Sequence, residues 1–226
     1  MSMRCTALAN CGLLLECGED AVLIDAPCGR KTLFDGTDDR EFKRILSSEG
    51  SYRNLRGLLF THKHSDHYDS KRVRDLCMAR PVLTMFAPNG ATPEFSSLRV
   101  GVFEISCFSV PHSGEEFSGV YHRVFLIRGK ESSVYLTGDA SWDHPIHGEI
   151  LEKYRPSAAF WNPNFLSHEE GRALLRKTQR NFINHMPVES DDSLGIGRKA
   201  RTCFQRYVQE SGTTVLLTTY AVKFEI

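Results

Sequence analysis

Apolar positions along this chain fall into short runs that are separated by small groups of polar residues. The sequence opens with three such runs, RCTALAN, GLLLEC and AVLIDA, and a turn through Gly18, Glu19 and Asp20 separates the second from the third. Short apolar runs bounded by turn residues are typical of strands joined in hairpins. The start of the chain therefore predicts an antiparallel meander.

Helical periodicity and strand-like runs then alternate to the end of the chain. Segment 38–50 has apolar residues on one face and predicts a helix, and the nearly all-apolar run at 55–60 predicts a strand buried on both faces. Ser167 and Glu170 fit a capping box. The same criteria predict further helices over 71–79, 146–154, 167–178 and part of 190–210, and strands over 81–86, 98–110, 121–129, 132–139, 156–162, 181–185, 213–219 and 221–226.

This order of elements predicts an α/β fold with two sheets packed face to face and helices outside them. A doubly wound Rossmann sheet fits less well, because the early hairpins are antiparallel and no glycine-rich phosphate loop follows the first strand. With 226 residues, the chain is long enough for a substantial core, and we expect a single domain over 1–226.

The run THKHSDH at 61–67 concentrates coordinating side chains directly after the buried strand 55–60. His62 and His64 are two residues apart, so in extended chain they point the same way and can converge on one ion. Asp66 and His67 follow as the chain turns and can face a second ion. Imidazole and carboxylate at this density suit zinc, or iron and manganese. The alternative is a solvated polar loop.

Three isolated side chains elsewhere could complete a dinuclear site. His112 follows one predicted strand, and Asp139 and His185 each end another. A lone histidine is more often an ordinary loop or core residue. All three, however, stand at strand ends, where a rigid scaffold displays functional groups.

The motifs THKHSDH, VPHSG, TGDA and INHMP, in this order, resemble those of the metallo-β-lactamase superfamily, and LLLECGEDAVLIDA resembles its opening hairpin. The resemblance spans nearly the whole chain and implies a four-layer αββα sandwich of the metallo-β-lactamase type. It also implies a site for two divalent metal ions, with zinc preferred and manganese or iron as alternatives.

The resemblance assigns a role to each metal-binding position. It implies His62, His64 and His112 for the first ion, and Asp66, His67 and His185 for the second. Asp139 resembles the aspartate that bridges the two ions. Asp25 resembles a residue that supports the site without binding metal directly.

Such a site implies hydrolysis by water. Two metals roughly 3.5–4 Å apart can share a water, lower its pKa from 15.7 toward about 7, and use the resulting hydroxide as nucleophile. Asp66 would be both ligand and proton acceptor. Candidates to protonate the leaving group are His122, His144 and His147, and the alternative for each is an ordinary loop histidine.

Other polar and aromatic residues could border a cleft at the strand ends. Trp142 could form an apolar wall, or could simply pack. Trp161, Asn162 and Asn164 follow a predicted strand. Arg30 and Lys31 could meet a substrate phosphate or carboxylate, although a solvated pair of charges is the simpler interpretation.

Composition and charge limit the classes of partner. Lys+Arg and Asp+Glu are both 28, so no bulk charge attracts nucleic acid or an anionic membrane. We find no membrane-spanning run and no signal peptide, and therefore expect a cytoplasmic protein. The seven cysteines form no CxxC motif, which favours reduced thiols used as small hydrophobic residues. Among them, Cys28 is placed to reach the site. The oligomeric state is left open.

These observations predict a metal-dependent hydrolase of a small ester, lactone or phosphodiester. The chain is similar in style to the ascorbate-6-phosphate lactonase branch and to small phosphodiesterases of the superfamily. One alternative is a nuclease acting on RNA or DNA, which the neutral charge and lack of a basic arm disfavour. The other is a non-catalytic metal-binding scaffold.

Overall fold

The predicted opening meander lies in the first sheet, next to one of its edge strands. The structure is a computed structural model that describes residues 2–31, 33–89, 95–207, 213–218, 220 and 222–226. In the first sheet the strand order is β13-β1-β2-β3-β4-β5, with β3, β4 and β5 parallel and the other neighbours antiparallel. Its strands are β1 (Arg4–Ala7), β2 (Leu13–Cys17), β3 (Asp20–Ile24), β4 (Leu55–Leu59), β5 (Thr84–Phe86) and β13 (Lys223–Glu225).

The second sheet has an antiparallel half and a parallel half. The strand order is β12-β11-β10-β9-β8-β7-β6, and pairing becomes parallel from β9 onward through β10, β11 and β12. Its strands are β6 (Phe95–Val100), β7 (Phe103–Ser109), β8 (Arg123–Arg128), β9 (Ser133–Leu136), β10 (Ala158–Trp161), β11 (Arg180–Ile183) and β12 (Thr213–Leu216).

Six helices in the described residues cover the outer faces of the two sheets. Ile45 of the first helix and Leu76 of the second pack with Leu23 and Phe60 of the first sheet. The later helices pack on the second sheet, where Ile150 and Leu175 meet the outward-facing Tyr135 of β9 and Trp161 of β10. The helices are α1 (Asp39–Leu46), α2 (Ser70–Ala79), α3 (Ile146–Tyr154), α4 (Pro163–Ser167), α5 (Glu169–Leu175) and α6 (Ile196–Tyr207).

The core between the sheets explains why several strands are apolar at every position. In β2, Leu13 and Leu15 face the second sheet, whereas Leu14 faces the helices. In β8, Phe125 faces the first sheet and Leu126 faces the outer helices. Both faces of these strands are buried, so alternation between apolar and polar residues is lost. The result is the predicted four-layer αββα sandwich.

Local predictions were wrong at two places. The predicted strand 98–110 is interrupted at Gly101, which has a φ of 56° and turns the chain between β6 and β7. The capping box is absent: α5 begins at Glu169, and the Ser167 hydroxyl instead donates to the Pro163 carbonyl within α4. The sequence WNPNF carries the signal for α4, since Asn162 caps the helix and Pro163 occupies its first turn.

Candidate metal centre

The predicted donor side chains leave the sheets at the carboxyl ends of their strands. The run that contains His62, His64, Asp66 and His67 follows β4 of the first sheet. In the second sheet, His112 follows β7, Asp139 follows β9 and His185 follows β11. Because the sheets pack face to face, these loops meet at one edge of the sandwich.

Four donors form a compact set that we call the first donor group: His62, His64, His112 and Asp139. Their candidate ligand atoms all lie within 4.8 Å of one another. His62 Nε2 is 3.0 Å from His64 Nδ1, and His112 Nε2 is 3.3 Å from Asp139 Oδ2. This is the set that the resemblance implies for the first ion, joined by the aspartate that it implies as the bridge.

The second donor group shares Asp139 and consists of Cys11, His67, Asp139 and His185. Its ligand atoms also lie within 4.8 Å of one another. His67 Nε2 is 3.2 Å from His185 Nε2, and Asp139 Oδ1 is 2.8 Å from the same His185 atom. Asp66 lies beside this group, with Oδ2 3.8 Å from His185 Nε2.

The orientation of the imidazole rings fits metal ligands. The Thr61 hydroxyl lies 3.1 Å from His62 Nδ1, and His67 Nδ1 and His112 Nδ1 lie 2.9 and 2.6 Å from the Asp25 carboxylate and the Ser113 carbonyl. These contacts at Nδ1 turn the Nε2 atoms of the three rings toward the cluster, as the partners of metal-bound histidines do.

Buried atoms without hydrogen-bond partners mark the same place. Among the described residues, Asp66 Oδ1, His112 Nε2 and Asp139 Oδ1 are buried without an aligned hydrogen bond. Buried polar atoms are normally satisfied, so convergent orphan atoms indicate a missing partner. The donors present, imidazole and carboxylate, are those that zinc, iron and manganese accept. The residues therefore fit the metal ions that the sequence implies.

Asp25 supports both donor groups from behind. Its carboxylate accepts from the Thr61 backbone N–H at 2.7 Å and from the Thr61 hydroxyl at 2.8 Å, and it holds His67 Nδ1 at 2.9 Å. Burial alone would lower the pKa of His67, but the carboxylates of Asp139 and Asp25 raise it well above its ordinary value. Asp25 thus has the supporting position that the resemblance implies.

Backbone conformation at the centre is unusual in three loops. Asp25 and His185 adopt positive φ angles of 46° and 56°, a region that non-glycine residues occupy at a cost. Gly138, with a φ of 50°, precedes Asp139, and a Cβ atom there would lie 2.7 Å from Thr61 Oγ1. The absence of a side chain at 138 lets the loop after β9 approach the loop after β4.

A cavity of about 530 Å³ opens onto the donors. Phe34 packs edge-on against His185 with ring centroids 4.0 Å apart, and Phe117 packs against His112 at 4.7 Å. Leu194 adds a third apolar wall, and Lys31 reaches the edge of the site with Nζ 3.4 Å from Asp66 Oδ1. The cavity therefore has apolar sides and a polar floor.

His122 does not have the position that a proton donor needs. It is buried, its Nδ1 lies 3.1 Å from the Val110 carbonyl, and its Nε2 accepts from the Asp139 backbone N–H at 3.1 Å. Burial lowers its pKa to about 3, so the ring is neutral at physiological pH. The prediction that His122 is a general acid is corrected: it positions the backbone of Asp139.

The two histidines after Asp139 are also removed from the cavity. His144 is half-buried and does not contribute to the cavity wall among the described residues, and its Nδ1 accepts from the Ile146 N–H at 3.4 Å, at the start of α3. His147 is buried between the Tyr135 hydroxyl at 2.6 Å and the Ser141 carbonyl at 2.8 Å. The prediction that His144 or His147 protonates the leaving group is therefore corrected.

Two of the other candidates at the strand ends border the cavity. Asn162 and Asn164 line it, and Asn162 Nδ2 donates to the carbonyls on both sides of Asp139, at 3.0 Å each. Trp161 is buried and donates to Asn181, whereas Trp142 stacks on His168 with centroids 4.3 Å apart. These tryptophans are packing residues.

The cationic pair at 30–31 is divided between two roles. Lys31 lines the cavity, whereas Arg30 pairs with Asp191 at 3.2 Å. The cysteines also differ from expectation. Cys28, the thiol that the sequence placed near the site, is turned toward Thr37 with Sγ 3.5 Å from the hydroxyl, and Cys11 lies among the donors instead.

Sequence comparisons give no family for the chain: no family model matches it, and no curated protein matches it. Solved structures do match. A possible metal-dependent hydrolase from Veillonella parvula superposes with a TM-score of 0.71 at 15% identity, over 100% of both chains. A metallo-β-lactamase fold protein from Bacillus subtilis gives 0.67 at 13% identity, again over 100% of both chains.

A third similar structure is the isothiocyanate hydrolase from Delia radicum gut bacteria. It has a TM-score of 0.66 at 14% identity and covers 99% of this chain and 100% of its own. At such low identities the similarity concerns the fold. The chain has the metallo-β-lactamase fold, which confirms the fold predicted from the sequence.

Proposed function

We propose that this chain is a metal-dependent hydrolase that cleaves a small ester, lactone or phosphodiester. The observation that carries the proposal is the convergence of the two donor groups at the floor of one cavity. The first group would hold one divalent ion, and His67, His185 and Asp66 would hold a second, with Asp139 shared. Zinc is the preferred ion, and manganese and iron are alternatives. When bound, the ions would supply Lewis-acid activation of water and of the bond it attacks.

Asp66 is the group that we assign to proton transfer. Its Oδ1 is buried, lacks an aligned hydrogen bond among the described residues, and faces Lys31 Nζ at 3.4 Å. Oδ1 accepts the proton of the attacking water and returns it to the leaving oxygen. The Lys31 ammonium holds this carboxylate in place and is available to an oxygen atom of the substrate. No role is left for His122 or His144 in proton delivery, because neither lines the described cavity.

The cavity supports a small molecule as substrate. Its volume of about 530 Å³ lies in the range of small-ligand sites. Phe34, Phe117 and Leu194 suit an apolar portion of the substrate, and Lys31 is the single Lys or Arg among the described residues that line it. A nuclease needs a row of cations along the phosphate backbone, which this lining does not supply.

Metal analysis combined with a substrate panel tests the proposal. We expect two metal equivalents per chain, and turnover of a lactone, a thioester, a carboxylic ester or a phosphodiester such as bis-p-nitrophenyl phosphate. A chelator should abolish this turnover and zinc should restore it. Bound metal without turnover of any class would favour the scaffold alternative. Salt-sensitive cleavage of RNA or DNA with no small-molecule turnover would favour the nuclease.

Nucleic-acid and membrane binding are not part of the proposal. In the part of the chain that the structure describes, no helix has the length and apolar character to cross a bilayer.

A further inference from the structure

Cys11 is a candidate metal donor that the sequence motifs do not predict. It lies in the turn between β1 and β2, and its side chain is 2% exposed. Its sulfur and the ligand atoms of His67, Asp139 and His185 all lie within 4.8 Å of one another. Sulfur, imidazole nitrogen and carboxylate oxygen are all zinc ligands, and four such donors can surround one tetrahedral ion.

The turn that carries Cys11 is held against the loop after β4, which contains Asp66 and His67. Asn10 adopts a φ of 51°, and its Nδ2 donates to the Asp66 carbonyl at 2.8 Å. Within the turn, the Leu8 N–H donates to the Gly12 carbonyl at 2.8 Å. An added Cβ at Gly12 would lie 3.3 Å from the Asp25 carbonyl oxygen, so the turn also packs closely on the residue that supports His67. The residues before and after Cys11 are therefore both held against neighbouring loops, which fixes the position of the sulfur.

Independent observations at the same place point to a bound cation. His67 is fully buried and its Nδ1 lies 2.9 Å from the Asp25 carboxylate, so Nε2 is the ring nitrogen that faces the cluster. Asp139 Oδ1 lies 3.3 Å from that nitrogen and has no aligned hydrogen bond among the described residues. Asp66, 1% exposed, adds a buried carboxylate beside the group, with Oδ2 3.8 Å from His185 Nε2. Donor atoms that converge in this way are the arrangement that a bound cation would satisfy.

We infer that Cys11 binds the metal ion of the second donor group as a thiolate, together with His67, Asp139 and His185. The inference rests on the proposed metal centre and extends it. Formation of the metal–sulfur bond displaces the thiol proton, which passes to solvent, and no oxidation is involved. A thiolate at this position favours zinc over manganese or iron in the second group. In this arrangement Cys11 takes the ligand position assigned above to Asp66, and Asp66, beside the group, stays available for proton transfer.

Cys28 provides a matched control. It is as buried as Cys11 and belongs to the loop after β3, but its sulfur faces the Thr37 hydroxyl at 3.5 Å and the Ala9 carbonyl at 4.0 Å. A serine at either position removes one thiol from the same region of the protein. An effect on metal binding that is specific to Cys11 therefore reports coordination rather than the loss of a buried sulfur.

Cobalt substitution gives a readout that is independent of activity. Full-length protein is stripped of metal, loaded with Co²⁺ and quantified by elemental analysis. We expect a near-ultraviolet thiolate-to-cobalt charge-transfer band in the wild type and in Cys28→Ser, and its loss in Cys11→Ser. In chelator competition, Cys11→Ser should weaken zinc binding at one site by at least about tenfold, since even residues that only support a ligand commonly have that effect. A cobalt-loaded wild type without the band, or an undiminished band in Cys11→Ser, would overturn the inference.

X-ray absorption at the zinc edge of the wild-type protein serves if Cys11→Ser does not fold. We expect a sulfur neighbour at about 2.3 Å, the usual zinc–thiolate distance. A spectrum fitted by nitrogen and oxygen alone would contradict the inference. If metal-dependent hydrolysis persists with such a spectrum, only the role of Cys11 is lost. If the protein binds no metal, the proposed function fails as well.

Discussion

The candidate metal centre and the packing site of His147, which we call the His147 pocket, both contain buried histidines. The ring nitrogens have different kinds of partner in the two places. In the pocket, His147 has the Tyr135 hydroxyl at one nitrogen and the Ser141 carbonyl at the other. At the centre, His62 and His67 are each held at Nδ1, while Nε2 faces other electron donors. A ring with both nitrogens satisfied is a packing element, whereas a ring with one nitrogen turned toward other donors is a candidate metal ligand. The comparison predicts different consequences for equivalent substitutions in the two regions.

The largest effect is expected at the shared carboxylate of the centre. Asp139→Asn removes one anionic oxygen from both donor groups, so we expect both metal sites to weaken and hydrolysis to fall to the background of the metal-free protein. Elemental analysis and turnover on the same preparation measure this. The exposed neighbour Asp143 gives the control, since Asp143→Asn should retain both metals. Two tightly held ions in Asp139→Asn would assign the bridge to another residue.

The next largest effect is expected at Asp25, which supports the ligands without belonging to either donor group. Asp25→Asn places an amide where the carboxylate meets the Thr61 N–H and His67 Nδ1, so one of these contacts becomes repulsive. We expect metal affinity to fall about 10–100-fold, as for other partners of metal-bound histidines. Chelator competition measures the change. Unaltered affinity would show that backbone packing alone orients His67.

In the pocket, by contrast, a substitution should change stability and leave the metal in place. His147→Gln removes contacts to Tyr135 and Ser141 and should lower the free energy of unfolding by about 1–3 kcal/mol. Metal content should be unchanged. Denaturant unfolding and elemental analysis, performed together, test the two halves of this statement. Loss of metal without loss of stability would abolish the distinction between the two regions.

The same pocket predicts a pH dependence. Burial lowers the pKa of His147 from 6.5 to about 4, so between these values the unfolded chain binds a proton that the folded chain does not. Stability is therefore lost as the pH falls from 6.5 through 4, with up to about 3 kcal/mol due to this residue. Unfolding free energies at several pH values should show a steeper loss for the wild type than for His147→Gln. Equal slopes would mean that another group is responsible.

The smallest effect is expected at Lys31, on the edge of the cavity. Its Nζ lies 3.4 Å from Asp66 Oδ1, and its side chain is 42% exposed, so solvent screens the interaction. Lys31→Met should reduce turnover severalfold, most for anionic substrates, without loss of metal. Arg30→Met, next in sequence but paired with Asp191, should leave turnover unchanged. Equal effects of the two variants would argue against a specific role for Lys31.

The sequence was informative where chemistry and secondary structure coincide. The run that contains His62 and His64 is local, and its position after a buried strand places it at a sheet edge. His112, Asp139 and His185 were found because each follows an apolar strand, and strand ends of neighbouring elements meet in space. The four-layer architecture followed from antiparallel hairpins at the start and interspersed helices later.

What the sequence missed depends on tertiary contacts. Cys11 enters the centre because Asn10 ties its turn to the loop of Asp66, and no local pattern encodes that contact. His122 and His144 were interpreted as candidate acids because the burial and backbone partners of a histidine depend on the tertiary fold and cannot be read from the sequence. Phe34 and Leu194 line the cavity from loops with no periodicity at all.

The bare backbone at Gly138 has a consequence for anyone who wishes to retarget this cavity. Phe34, Phe117 and Leu194 carry no donor atoms and can be randomised in a library without changing either donor group. Position 138 should stay glycine, because its φ is 50° and even the methyl group of alanine would lie 2.7 Å from Thr61 Oγ1. Laboratory evolution of new specificity should therefore vary these three cavity-lining residues and leave Gly138 unchanged.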